Sequence, residues 1–282
     1  MTLQAIVFGV DGVLAETQEA RREAFNKVFA EAGLDWQRGR TLFAELLKAT
    51  DGEDIIQAFV YRYLPHWRHT EDLSHLIAAM TRRHATIYQE LLDNGAVKFR
   101  AGVTQFLLVA TRAGVLLAIA TDESRSQVLS LLGANLEPPE TADFNAVCTA
   151  DDCAGGKGND RYLSALRKLA LAPEVCLAVE SSPKGIRSAV AARLPTVITW
   201  GIYSQVHECA EALPAADDGV PRSASSMILS GWDCRKPTEL LAQLRSFHAA
   251  QPRSPGSSSP LVSAVRFRAG ESSRNNKWRC AV

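Results

Sequence analysis

The chain has no surplus of either charge, no long apolar run and no paired cysteines, and each absence removes a class of function. Its 31 lysines and arginines are matched by 31 aspartates and glutamates, so no net field draws in nucleic acid or an anionic membrane surface. No apolar stretch approaches the ~20 residues that span a bilayer. The opening residues Met1-Thr2-Leu3-Gln4 run straight into a predicted strand, which leaves no room for a signal peptide. The six cysteines are irregularly spaced and none forms a C-x-x-C pair. Reduced thiols in a cytoplasmic protein are therefore expected rather than a disulfide framework. The expectation is a monomer with neither a nucleic-acid nor a membrane partner.

What is present is a sheet former interrupted by helices. Ala5-Ile6-Val7-Phe8 is an apolar run read as the first strand. Helical spacing then holds to about residue 96. Ala20, Ala24, Phe25, Val28, Phe29 and Ala32 recur at that spacing before Gly33. Leu42, Phe43, Leu46 and Leu47 repeat it, as do Ile55, Ile56, Phe59 and Val60 before Pro65, and a longer stretch runs from Asp72 to Asn94. Alternation resumes with a helix over 102–113. Strands are predicted at 115–120, 144–148, 175–179 and 195–199, with helices near 160–171 and 184–192 between the later ones. Near-continuous apolar strands alternating with helices predict an α/β fold, a doubly wound parallel sheet covered on both faces. The four early helices predict an inserted helical cap. The expected division is a core of residues 1–15 and 97–249, a cap of 16–96, and a disordered Ser/Pro/Arg-rich tail of 250–282. Thr238 is expected to cap a last helix that runs through Phe247.

One further absence is local. Gly9-Val10-Asp11-Gly12-Val13-Leu14 follows the first strand directly. At a parallel sheet's carboxyl edge, residues i and i+2 share a side, so position 9 and Asp11 face the same way. Two aspartates there would supply a nucleophile and an acid/base; here one place holds glycine. Phe8-Gly9-Val10-Asp11-Gly12-Val13-Leu14 resembles the first motif of the haloacid-dehalogenase superfamily, D-x-D-G-[TV]-L. Arg22-Glu23-Ala24-Phe25-Asn26 and Gly33-Leu34-Asp35-Trp36 are similar to its CbbY-type sugar-phosphate phosphatases. The resemblance places the family nucleophile on Gly9, and it implies Mg2+-dependent phosphoryl transfer through an aspartyl-phosphate.

The same resemblance assigns the other positions. Asp11 falls on the acid/base residue, whose backbone carbonyl is also a metal ligand. Thr121, closing the strand over 115–120, falls on the phosphate-binding hydroxyl. Lys157, in Gly155-Gly156-Lys157-Gly158-Asn159-Asp160-Arg161-Tyr162, resembles the lysine of K-P-x-P-D-x-Y with one residue fewer before the aspartate. Glu180-Ser181-Ser182 with Gly185-Ile186 resembles [ED]-D-S-x-x-G-[IL]. Ser181 thus replaces a magnesium-ligand aspartate, and Glu180 is left to hold the ion through water. Asp122 and Glu123 stand where Thr, Ser or Asn is usual, and two carboxylates beside a phosphate pocket repel the ligand unless they point away. In the cap, Glu16 matches a residue near the sugar and Arg21 stands at a usual histidine. Thr50-Asp51-Gly52-Glu53 resembles T-G-G-K with its lysine reversed in charge.

Three readings follow. The first is a phosphatase scaffold with its activity impaired by the loss of both acids. The second is a magnesium-dependent phosphatase that uses water directly, with Asp11 as base. The third is a non-enzymatic module that binds a phosphorylated sugar or a partner.

Overall fold

A computed structural model describes residues 2–34, 39–50, 55–64, 72–136, 144–153, 160–203, 226–228 and 234–251. Ala5–Phe8 forms β1, and every one of its residues is buried. Leu116–Ala120 (β2) and Cys176–Glu180 (β4) flank it in parallel, with Phe8 level with Ile119 on one side and Val179 on the other. Ala146–Cys148 (β3), Thr196–Ile198 (β5) and Ser226–Ile228 (β6) complete a six-stranded parallel sheet of order β3-β2-β1-β4-β5-β6. The chain winds outward in both directions from β1 and β4. That reversal opens a crevice at the carboxyl edge between them, where such sheets bind ligands.

The period of two along the strands divides the core. Ile6, Phe8, Leu117, Ile119, Leu177 and Val179 belong to one buried cluster. That cluster also holds residues of α5 (Val103–Arg112) and α9 (Pro237–Ala249). Ala5, Val7, Ala118, Ala120, Cys176 and Ala178 face the other way. These small side chains let α7 (Asp160–Leu169) and α8 (Pro183–Ala191) lie close to the sheet through Tyr162, Ala165, Leu166 and Ala189. Both faces are covered, as the uninterrupted apolar strands require.

Four helices intervene between β1 and α5: α1 (Thr17–Glu31), α2 (Arg40–Thr50), α3 (Ile55–Tyr63) and α4 (Leu73–Asp93). They pack through Phe25, Phe29, Phe43 and Phe59, whose rings meet at centroid distances of 5.4–6.4 Å, within the range of favourable aromatic contacts. This is the helical cap.

Sequence and structure differ at two helices. α6 (Arg125–Asn135) was not anticipated, although its start carries a readable signal. Ser124 accepts the Gln127 backbone N–H while the Gln127 side chain accepts the Ser124 N–H, a complete capping box. The last helix begins earlier than expected. Lys236 is its N-cap, with no side-chain cap bond, and Pro237 leads it, so Thr238 lies inside the helix rather than at its cap. Cys148, Cys176 and Cys234 are buried and not joined in disulfides. Among the described residues no helix is long and apolar enough to cross a membrane. Apart from residues 250 and 251, the expected tail lies outside the described residues.

Candidate functional site

A cavity of about 1440 Å³ opens between the sheet edge and the cap. Gly9 and Asp11 after β1, Thr121 to Glu123 after β2, and Glu180 to Gly185 after β4 line its floor; Arg21, Phe25, Arg40, Lys48 and His84 belong to the cap side. The topology thus brings together Gly9, Asp11, Thr121, Glu180, Ser181 and Arg21 from the sequence reading. Glu16 is engaged elsewhere: its carboxylate accepts the Ile202 N–H at 2.9 Å and lies 3.6 Å from Arg100. Lys157 and residues 51–53 lie outside the described residues.

The place that a side chain at position 9 would use is already filled. A Cβ built on Gly9 would lie 2.8 Å from Glu180 Oε1, and one on Gly185 would lie 2.3 Å from the same carboxyl group. Glu180 is therefore sandwiched between two glycines. Its carboxylate accepts hydrogen bonds from the Tyr162 hydroxyl and from the Ser181 backbone N–H, the latter at 3.0 Å. Burial pushes the Glu180 carboxyl up to about 7, against the lowering effect of those hydrogen bonds.

The other half of the floor is closed in a similar way. The Ser181 hydroxyl donates to the Asp11 backbone carbonyl at 2.5 Å. The contact is tight enough that a Cβ on Gly12, whose φ is +64°, would strike Ser181 Oγ at 2.5 Å; only glycine suits that backbone and that approach. Asp11 Oδ1 accepts from the Thr17 hydroxyl (2.8 Å) and the Gln18 N–H (3.1 Å). Burial outweighs these bonds and raises the Asp11 carboxyl to about 6.

These groups do not fit a divalent cation of the magnesium type. Such an ion needs several converging oxygens, usually including one or two carboxylates. Gly9 offers none, the Asp11 carbonyl already accepts the Ser181 hydroxyl, and the Glu180 carboxyl is held by Tyr162 and backbone amides. Among the described residues no group of three His, Cys, Asp or Glu side chains converges to hold a metal.

The turn after β2 behaves differently from expectation. Thr121 Oγ1 accepts the Glu123 N–H at 3.2 Å, and both carboxylates that follow are paired rather than turned away. Glu123, 7% exposed, lies 2.6 Å from Arg21 and accepts the Tyr88 hydroxyl at 3.1 Å. The Arg21 guanidinium also lies over the Tyr88 ring, 4.3 Å from its centroid, a cation–π contact. Burial opposes the Arg21 charge, but Glu123, Tyr88 and Asp11 together outweigh it and hold the guanidinium firmly protonated. Burial, reinforced by Glu123, likewise raises the Tyr88 hydroxyl well above its ordinary value. His84 stacks on Phe25 at 4.0 Å with Nε2 3.1 Å from the Arg21 carbonyl, and burial lowers it to about 4, so it stays neutral. Asp122 pairs with Arg161 and lies 3.7 Å from Lys184.

Sequence reasoning did not single out Tyr88, Arg161 or Lys184, and Tyr162 entered it only as the closing tyrosine of the K-P-x-P-D-x-Y resemblance. For Arg21 and Glu123 a signal was available: the motif resemblance expects neither residue at its position, and the two carry opposite charges.

Comparison with known proteins agrees with this fold. Residues 6–199 match the family model described as haloacid dehalogenase-like hydrolase. The protein CbbY of Rhodobacter capsulatus is 35% identical over 227 residues, covering 78% of this chain and 94% of that protein. The plasmid-encoded CbbY of Cupriavidus necator is 36% identical over 213 residues, 72% of this chain and 80% of that protein. Among solved structures, CbbY from Rhodobacter sphaeroides in complex with phosphate is 34% identical with a TM-score of 0.59, covering 73% of this chain and 89% of that one. A mutant of the same protein in complex with xylulose-(1,5)-bisphosphate is 32% identical with a TM-score of 0.62, covering 82% and 95%. With its sheet order, its inserted cap and these relatives, the chain belongs to the haloacid dehalogenase-like hydrolase family and has CbbY-like sugar-phosphate phosphatase ancestry.

Proposed function

We propose that this member of the family binds a small phosphorylated sugar between core and cap and has lost turnover through an aspartyl-phosphate. One observation carries the reading: the Glu180 carboxyl fills the space where a nucleophile on residue 9 would stand. Hydrogen carries no electron pair to attack phosphorus. Glu180 cannot replace the missing aspartate while it is buried, half-protonated near neutral pH and bonded to Tyr162. Loss of a nucleophile from residues that act as a unit costs several powers of ten in rate.

Binding has separate support. The cavity is far larger than a single phosphate needs, and Arg21, Arg40, Lys48, Arg161, Lys184 and Arg187 line it. CbbY of Rhodobacter sphaeroides holds phosphate and xylulose-(1,5)-bisphosphate in its complexes; a sugar bisphosphate is accordingly the first ligand to try. Residues 16–96 would act as its cap over a core of 1–15 and 97–249. Asp11 and Thr121 retain their places on the floor, and Lys157 is proposed to complete the phosphate contact.

The test pairs a phosphate-release assay, run with and without magnesium, with calorimetric titration of xylulose-1,5-bisphosphate and smaller sugar phosphates. Binding without release above background is expected, with release appearing in the Gly9→Asp/Ser181→Asp double variant. Release by the unaltered protein that disappears in Asp11→Asn would overturn the loss of turnover and favour water attack with Asp11 as base.

A further inference from the structure

The pairing of Asp122 draws on three separate elements. Asp122 belongs to the turn after β2, Arg161 to the first turn of α7, and Lys184 to the first turn of α8. All three line the cavity beside Thr121. Their exposures are unequal: the Arg161 side chain is 11% exposed, Lys184 30% and Asp122 55%. The cations are thus built into the helices, while the anion is the solvent-facing member and sits on a turn. A guanidinium and an ammonium facing one group of oxygens suit a phosphate at least as well as a carboxylate, because phosphate has more acceptor oxygens and more charge.

We propose that Arg161 and Lys184 form an anion seat that Asp122 occupies in the unliganded protein, and that a phosphate monoester enters by displacing the Asp122 carboxylate. The identity of the incoming anion rests on the phosphosugar reading above; the seat rests on the ion pairs alone. A tethered carboxylate competes at a high effective concentration. The apparent affinity for phosphate then falls by the fraction of molecules in which the seat stands open. Asp122 thereby sets how much ligand is needed to fill the site.

Calorimetric titration of inorganic phosphate into the full chain tests the seat. Asp122→Asn is exposed and nearly isosteric, so its fold is retained; it is expected to bind phosphate at least ten-fold tighter than the unaltered protein. In Asp122→Asn/Lys184→Gln the gain is expected to vanish. Equal or weaker binding by Asp122→Asn, or a gain that survives removal of Lys184, overturns the proposal. A parallel titration of the unaltered protein with a sugar phosphate separates the two ideas. Sugar-phosphate binding with no gain in Asp122→Asn removes the seat and leaves the phosphosugar reading. Tight phosphate binding by Asp122→Asn alone does the reverse, and no binding by either protein removes both.

Discussion

The floor of the cavity and its cap-facing wall are satisfied in opposite ways. At the floor, glycine and serine stand at residues 9 and 181, where the motif resemblance expects carboxylates, and the neighbouring groups close on one another: Ser181 on the Asp11 carbonyl, Glu180 into the space beside Gly9. At the wall, opposite charges meet, Arg21 facing Glu123 and Asp122 facing Arg161. One region is held by hydrogen bonds and the other by ion pairs, yet both satisfy themselves with the chain's own atoms. A ligand site normally keeps some polar groups waiting for a partner. Here the pairing at Asp122 is the one whose exchange with a ligand costs least, because the Asp122 carboxylate is 55% exposed and meets water when it leaves.

The largest effect should come from the wall. Arg21→Met leaves Glu123 buried with only Tyr88 to hold it, a loss of about 3 kcal/mol that urea unfolding would register. Arg21→Met/Glu123→Leu should recover most of it, since an apolar pair of similar volume replaces a buried ion pair at little cost. If the single and double variants unfold alike, the wall is not held by that pair.

The floor should show itself next, through pH. Glu180 rises from an ordinary 4.5 to about 7 in the folded chain, and Asp11 from 3.8 to about 6. Through these two groups the folded state binds more protons than the unfolded one between about pH 4 and 7, and their contribution to stability falls as pH climbs through that window. The contribution is complete below the unfolded values and gone above the folded ones. Net of the opposing histidines, unfolding free energies from urea titrations should be higher at pH 5 than at pH 8 by on the order of 2 kcal/mol. Glu180→Gln should flatten most of that slope. Tyr162→Phe, which removes a bond that lowers Glu180, should move the fall to higher pH. The acids held low, Glu19 by Arg22 and Asp152 by Thr149 and Lys168, act with the opposite sign only below about pH 4; His84 and His248, which burial lowers, oppose the slope inside the window, so the difference between the unaltered protein and Glu180→Gln isolates the floor.

Ser181→Ala sharpens the floor further. It removes one buried hydroxyl bond and leaves the Asp11 carbonyl without that donor, for about 1 kcal/mol. The smallest change should be Arg83→Ala at the cap surface. Its pair with Glu31 is nearly half exposed on both sides, and such pairs yield less than about 1 kcal/mol. An Arg83 effect as large as that of Arg21 would mean that burial does not separate the two regions.

The fold was legible because its signals are periodic. Strands β1 to β5 and helices α1 to α5 stand where the apolar spacing puts them, and Gly33 and Gly95 stop α1 and α4 at the turns with φ of +71° and +65°. α6 escaped because its apolar face is weak, although Ser124 and Gln127 announce its start. Strand order is not written in periodicity at all. In the site, Gly9 and Ser181 stand out in the sequence because the motif resemblance expects acids at both positions. What took their place was not, because the fit of the Glu180 carboxyl between Gly9 and Gly185 depends on how β1, β4 and α8 approach, and spacing along the chain carries no such distance. For Asp122 and Glu123 the sequence predicted repulsion of a ligand. It could not show that each had a cation of its own.

The two glycines flanking Glu180 also bear on repair of the site. A lone carboxylate restored at residue 9 would evict Glu180 from Tyr162 and leave two anions crowded together with no cation between them. On the reading proposed above, a carboxylate added at residue 9 alone is therefore a handicapped first step toward turnover, because Glu180 has to be rehoused before the new side chain can be used.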